Sequence, residues 1–300
     1  MSKNSDIGWT HHTANPWWGC TKVSPACDHC YANTFSDRLS ESLFGERVVW
    51  GPGGHQVHKM DDVERDARKW DTAARKAGEH HRVFCGSMCD WSEGRADQVA
   101  SLERLFPLIS RTSNLNWLLL TKRPNIGKRL LAAAYGENIS QNIWVGTTIE
   151  NQEWADKRIP HLLEINAAVR FVSVEPQLGP VDLSAHLGQG RGKVNWVICG
   201  GESGAGARGY TEMLGWYRSL RDQCVAAGVP FFFKQWGRFL QRGEQLFKLR
   251  GKNPDNVLDD QKWEQYPDDV RAPIIVPARS IVKSRYERLL DDSYDLLSVG

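Results

Sequence analysis

No run of apolar residues in this 300-residue chain approaches the length of a membrane span, and Met1 to Asp6 contain no hydrophobic segment of signal-peptide type. A cytoplasmic protein with no membrane partner is expected. Excess charge of one sign is also missing. With a net charge of +2 and a pI near 8.1, whole-molecule electrostatics neither demands nor forbids a nucleic-acid partner, so any basic surface must be local. No self-similar repeat is visible. An even cysteine count is absent as well: there are seven, three of them clustered, which suits a reducing compartment with a metal or cluster better than a disulfide framework.

What remains is an ordinary globular composition, 41% hydrophobic and 25% charged, long enough for one barrel-sized domain or two small ones. The thirteen tryptophans fall partly within expected strands, where core packing explains them more economically than ligand stacking. Short apolar strands are expected at 82–86, 116–121, 142–147, 169–174, 194–199 and 229–233, after a short one within 8–16. Helical spacing occupies 32–44, 60–78, 95–110, 154–165 and 211–228, and 45–59 is a glycine-rich loop. Apolar strands without alternating polarity, separated by helices, point to parallel strands buried on both faces.

The expected fold is therefore α/β, a partial (β/α) barrel of about six to seven parallel strands, with an open doubly wound sheet as the alternative. Residues 1–237 would form the barrel and 238–300 a C-terminal appendage packed on it. That appendage would include an apolar run at Ile274 to Val276, a helix near Ser280 to Leu290 and an acidic tail.

Cys20, Cys27 and Cys30 form a C-x6-C-x2-C motif between the first strand and the first helix. Cys27 and Cys30 are spaced so that two thiolates reach one metal centre, and the Ser24-Pro25 turn would fold Cys20 towards them. Spacing alone allows a Cys3His zinc site completed by His11, His12 or His29, or an iron–sulfur cluster. A second C-x2-C, usual in structural zinc sites, is missing.

Functional groups in parallel β/α architectures gather where strands end. Directly after the expected strands come Ser87, Cys89 and Asp90; Thr121, Lys122 and Arg123; Glu150 and Asn151; Glu175; Gly200 to Ser203; and Lys234 to Trp236. A polar strand end accounts for any one of these; their concurrence points to a site. The Gly200 to Gly206 run allows a backbone nest for phosphate but lacks a P-loop lysine. Lys122, Arg123, Arg208 and Lys234 would suit a polynucleotide backbone, with Trp236 as a stacking platform, although solvated charge explains them equally well.

The elements WGC (18–20), SPACDHCYA (24–32), TKRP (121–124), GTTIEN (146–151), SVEP (173–176), CGGESG (199–204) and FFKQWG (232–237) resemble the three-cysteine phage-protein family named after gene products 37 and 68. The cysteine loop after the first strand also resembles that of radical S-adenosylmethionine (SAM) enzymes. That resemblance implies a 4Fe-4S cluster on Cys20, Cys27 and Cys30, whose open iron chelates SAM. It further implies a reductant such as flavodoxin or ferredoxin, a DNA, RNA or nucleotide substrate, and a protein partner encoded nearby.

The sequence departs from the superfamily pattern, whose first gap is three residues rather than six. After the second strand, Cys85-Gly86-Ser87 with Asp90, followed by Thr121-Lys122, is similar to the spore photoproduct lyase branch. There Ser87 and Lys122 would position SAM, and Cys85 or Cys89 would return a hydrogen atom to the product radical. Asp90, Thr121, Glu150, Asn151 and Glu175 complete the expected cofactor contacts. The rival reading is a non-catalytic, zinc- or cluster-stabilised binding protein for nucleic acid or for a phage or host protein.

Overall fold

A computed structural model describes residues 5–249, 256–268 and 273–279. In chain order these form β1 (His12–Ala14), β2 (Trp17–Trp18), α1 (Tyr31–Phe44), β3 (Val57–His58), α2 (Met60–Ala77), β4 (His81–Cys85), α3 (Val99–Arg111), β5 (Leu115–Thr121), α4 (Pro124–Tyr135), β6 (Ile143–Thr148), α5 (Gln152–Leu163), β7 (Val169–Val174), β8 (Trp196–Gly200), α6 (Met213–Ala227) and β9 (Phe231–Gln235). Two small hairpins follow, β10 (Phe239–Arg242) with β11 (Gln245–Lys248) and β12 (Val257–Leu258) with β13 (Gln261–Lys262). Among the described residues no helix is long and apolar enough to cross a membrane.

The main sheet has seven parallel strands in the order β1-β4-β5-β6-β7-β8-β9. Each strand is laid beside its predecessor and the order never reverses, as in a (β/α) barrel rather than a doubly wound sheet. Since β1 and β9 do not pair, the barrel is partial. Alternation along each strand sorts the side chains into two layers. Val83, Cys85, Trp117, Leu119, Val145, Val172, Val174, Val197, Cys199 and Phe233 pack with Leu102, Phe106, Leu130, Leu131 and Leu220 of the helices. The opposite, concave face is filled by Trp9, Phe84, Leu118, Trp144, Phe171, Trp196, Ile198 and Phe232. Six tryptophans are fully buried, so packing accounts for much of the tryptophan content.

Two features differ from the sequence expectation. Helix α4 is not among the expected helical stretches; Pro124 sits in its first turn, where a missing N–H costs nothing. Helix α1 forms as expected, but it buries Ala32, Ser36 and Ser40 and leaves Phe35 and Leu43 exposed. Of the apolar residues whose spacing marked the helix, Phe35 is exposed, whereas Leu39 and Phe44 are half-buried and Phe44 packs on Trp18.

The described parts of the C-terminal region pack on the barrel. Tyr266 lies against Trp196 and Phe232 and donates to the Gly8 carbonyl, while Ile274 to Val276 hydrogen-bonds with Gln141, Ser140 and Ser110. The helix expected near Ser280 to Leu290 and the acidic tail lie outside the described residues.

Candidate functional site

The C-terminal ends of the parallel strands open into one pocket, and Cys20, Cys27 and Cys30 line it together with Cys89, Lys122 and Glu175. All seven cysteines are free thiols. The cysteine loop leaves β2, which pairs with β3; the N–H of Gly19 donates to the Met88 carbonyl (3.1 Å). A short 3-10 turn at Pro25–Cys27 then carries the loop into α1.

Three arms from separate strand ends hold this loop. After β5, Arg123 donates from Nη2 to the Thr21 carbonyl (2.9 Å) and from Nη1 to Asp90 (2.7 Å), with Cys20 Sγ 4.0 Å from the same nitrogen. After β6, the fully buried Glu150 accepts from the Ala26 N–H (3.3 Å) and from Arg158 Nη1 (3.0 Å). After β8, Arg208 binds both carboxylate oxygens of Glu202 (3.0 and 2.7 Å) and donates to the Pro25 carbonyl (2.8 Å). The charges of these arms are balanced within the protein, which makes them supports rather than ligand contacts.

The glycine run also supports the loop. A Cβ on Gly204 would come within 2.6 Å of the His29 carbonyl oxygen, and one on Gly206 within 2.2 Å of His29 Nδ1. Close approach of the His29 backbone at Gly204 and of the His29 ring at Gly206 accounts for these glycines without a phosphate nest.

Asp90 organises the pocket floor. Its Oδ1 accepts from Thr121 Oγ1 (2.6 Å) and the Ser92 N–H (3.1 Å), and its Oδ2 from Arg123 and the Lys122 N–H (3.2 Å). Burial alone would raise this carboxyl's pKa; the Arg123 charge and the Thr121 and Ser92 hydrogen bonds outweigh it and hold the group below the ordinary range. Asn15 holds the neighbouring turn, pairing its amide with Ser87 Oγ (3.0 Å) and accepting from the Met88 N–H (2.8 Å).

Lys122 stands apart. No hydrogen bond or ion pair engages its ammonium among the described residues. Burial would lower its pKa, but Cys27 and Cys30 raise it. In return Lys122, with backbone hydrogen bonds at Val23 and Ser24, draws the Cys27 thiol below its ordinary value against the effect of burial. Burial pushes the Cys20 thiol up to about 12 and Cys89 also upward, so both hold their protons at neutral pH.

Several expected site residues lie off the pocket or are engaged within the fold. Cys85 shares the face of Val83 on β4, is fully buried in the helix-side core and does not line the pocket. Asn151 caps α5 by accepting from the Trp154 N–H (3.2 Å). Asp90, Thr121 and Glu150 are spent on internal bonds. Glu175 lines the pocket but is ion-paired with Lys234. Trp236 is buried, with its indole N–H donating to the Val257 carbonyl, and offers no stacking platform. His11 and His12 lie at the opposite end of the sheet, against His81 and Trp70, so of the three candidate histidines only His29 reaches the pocket.

The profile of a family described as "Protein of unknown function (DUF5131)" matches residues 4–267. The chain belongs to this family. No curated protein matches it. Among solved structures this family member is similar to a single-site mutant of spore photoproduct lyase, at 14% identity and a TM-score of 0.43 over 77% of this chain and 58% of that one. It is also similar to a mutant lyase with bound AdoMet and dinucleoside spore photoproduct (14%, TM-score 0.42, 78% and 58%) and to the lyase complexed with dinucleoside spore photoproduct (16%, 0.41, 66% and 57%). The chain thus spans less than two thirds of the length of these proteins.

Sequence reasoning missed the supporting roles of Asn15, Arg123, Arg158, Glu202 and Arg208. Two signals were available: Arg123 and Glu202 sit at strand ends, and Glu150 and Arg158 are eight positions apart, two turns of helix. Neither signal says which partner a charge meets.

The cysteines fit an iron–sulfur cluster by donor chemistry: three free thiols line one pocket, and the Lys122 ammonium beside them favours the thiolate form of Cys27. Among the described residues no group of three His, Cys, Asp or Glu side chains is gathered to hold a single metal ion. A cluster has irons at separate corners and takes its thiolates from more widely separated points than a single zinc does.

Proposed function

We propose that this pocket is the reaction site of a radical SAM-type iron–sulfur enzyme, with Cys20, Cys27 and Cys30 as the cluster ligands. The observation that carries the reading is the placement of three free thiols on one loop, clamped from three strand ends, beside an unpaired lysine. Such a cluster, when bound, would supply the electron that splits the sulfonium of SAM into methionine and a 5'-deoxyadenosyl radical.

The chain's own residues supply binding and order. Lys122 offers the one half-buried ammonium suited to the SAM carboxylate, and Ser87, oriented by Asn15, faces the same space. Cys89 presents a protonated thiol to the pocket, able to give a hydrogen atom to a substrate radical. The aromatic layer beneath excludes water from the barrel side. The protein reductant would be of flavodoxin or ferredoxin type.

Anaerobic purification tests the reading. Stoichiometric iron and sulfide, followed by 5'-deoxyadenosine on addition of dithionite and SAM, are the expected results. A colourless protein with one zinc per chain would sink it and favour the non-catalytic binding protein. Iron without SAM cleavage would leave only a structural or electron-transfer cluster.

A further inference from the structure

The pocket wall beside the cysteine loop carries side chains that the rest of the fold leaves unused. Four aromatic rings line the pocket: Trp9, Tyr31, Trp50 and Phe84. Trp9 and Phe84 pack on each other with centroids 4.6 Å apart. Tyr31 and Trp50 pack on no other ring among the described residues; Tyr31 is 48% exposed, and the indole N–H of Trp50 has no acceptor. An exposed ring next to a polar pocket forgoes the burial that large aromatic side chains usually find.

The charges show the same pattern. Three carboxylates line the pocket, and each is neutralised internally: Asp90 by Arg123, Glu175 by Lys234 and Glu202 by Arg208. Of the four lining cations, Arg123 and Lys234 are thereby used. Lys22 and Lys122 are left without a carboxylate among the described residues; with Lys122 turned to the SAM carboxylate, Lys22 is the charge left for a further ligand. Lys122 is half-buried beside Cys27 and Cys30, whereas Lys22 is exposed on the loop that leads into α1, whose first residue is Tyr31.

Two rings that pack on no other ring and an unanswered cation lining the same pocket call for a ligand that is both flat and anionic. A purely apolar ligand would leave Lys22 unanswered, and an acidic peptide would leave the rings so. We propose that this wall is a nucleotide subsite, with a nucleobase stacking on Tyr31 and Trp50 and its phosphate meeting Lys22. The inference rests on the reading of the pocket as a reaction site, to which it adds the substrate class. It differs from the phosphate contacts expected from sequence, because Arg123, Arg208, Lys234 and Trp236 are all engaged inside the fold.

The test is fluorescence anisotropy of a labelled single-stranded oligonucleotide with the full chain, across a salt series, with a mononucleotide as competitor. Tyr31→Ala and Trp50→Ala are each expected to weaken binding about 5- to 150-fold, the range for loss of one stacked base. Lys22→Gln should weaken it and reduce the slope of log K against log salt by about 0.7, as for one phosphate contact on a single strand. Tyr31→Phe should bind as the parent does, separating the ring from the hydroxyl that donates to the Ser87 carbonyl. Arg38→Gln, an exposed cation on α1 outside the pocket, should have no effect.

Displacement by the mononucleotide would identify a free nucleotide as the ligand, and its failure to displace would identify a strand; both support the subsite. Absence of saturable binding at low salt overturns it, and so does binding insensitive to the Tyr31 and Trp50 substitutions, which would be general polyanion attraction. Iron content and SAM cleavage are measured on the same preparations. Loss of nucleotide binding with SAM cleavage intact removes the subsite alone, and the converse removes the radical reading alone.

Discussion

The carboxylate of Glu150, at the end of β6, accepts a hydrogen bond from the backbone N–H of Ala26, 124 positions earlier in the chain. The same carboxylate is ion-paired with Arg158 of α5, and both side chains are almost wholly buried. One acidic group thus fixes the middle of the cysteine loop to the sheet.

Glu150→Gln is expected to lower unfolding stability by about 3–5 kcal/mol, because it strands a buried guanidinium. Urea denaturation of the full chain checks this. Glu150→Gln with Arg158→Met should recover part of the loss, as the uncompensated charge is then gone.

Asp90 makes stability depend on acid. Its folded-state pKa lies below the ordinary value, about 3.9 for an unfolded Asp, so the group contributes stability above that value and loses it as pH falls through the folded pKa. Wild-type stability should therefore drop more steeply below about pH 4 than that of Asp90→Asn, which starts lower at neutral pH. Parallel acid titrations of the two proteins would contradict the assignment.

Gly204→Ala should push the cysteine loop outward, since its Cβ meets the His29 backbone oxygen at 2.6 Å. Faster reaction of Cys27 and Cys30 with a thiol reagent, together with a lower Tm, is the expected outcome. Gly215→Ala is the control: this helical glycine has open space around its missing Cβ, and the change should stabilise α6 by about 0.4–1 kcal/mol.

The cysteines divide by position. Single replacement of Cys20, Cys27 or Cys30 by Ala should abolish iron retention. Replacement of Cys85 or Cys224, buried on the helix side, should leave iron in place at the cost of packing. Cys89→Ala should retain iron and SAM cleavage and change the fate of the substrate radical, seen as altered product or a changed pattern of deuterium incorporation.

The sheet was legible because its evidence is local. Apolar stretches such as 116–121 and 169–174 match β5 and β7 almost residue for residue, and their lack of alternation correctly implied burial on both faces. The cysteine trio was equally plain, since its spacing is confined to eleven residues. Helix α1 shows the limit of periodicity: the spacing of Phe35, Leu39 and Phe44 revealed a helix but not which face would be covered.

Sequence by itself determined the parallel β/α class, the approximate strand positions and the loop that carries the thiols, because hydrophobic period and ligand spacing are properties of neighbouring residues. Only the tertiary structure decided which strand-end charges are available to a ligand. Arg123, Glu150, Glu202, Arg208 and Lys234 all stand at or just beyond strand ends, but each is neutralised by a partner brought near through the fold. Lys22 and Lys122 are distinguished by having no such partner among the described residues. An ion pair forms where two charges meet in space, and that meeting depends on how the strand ends and their loops are brought together by the sheet, which the order of the chain does not state.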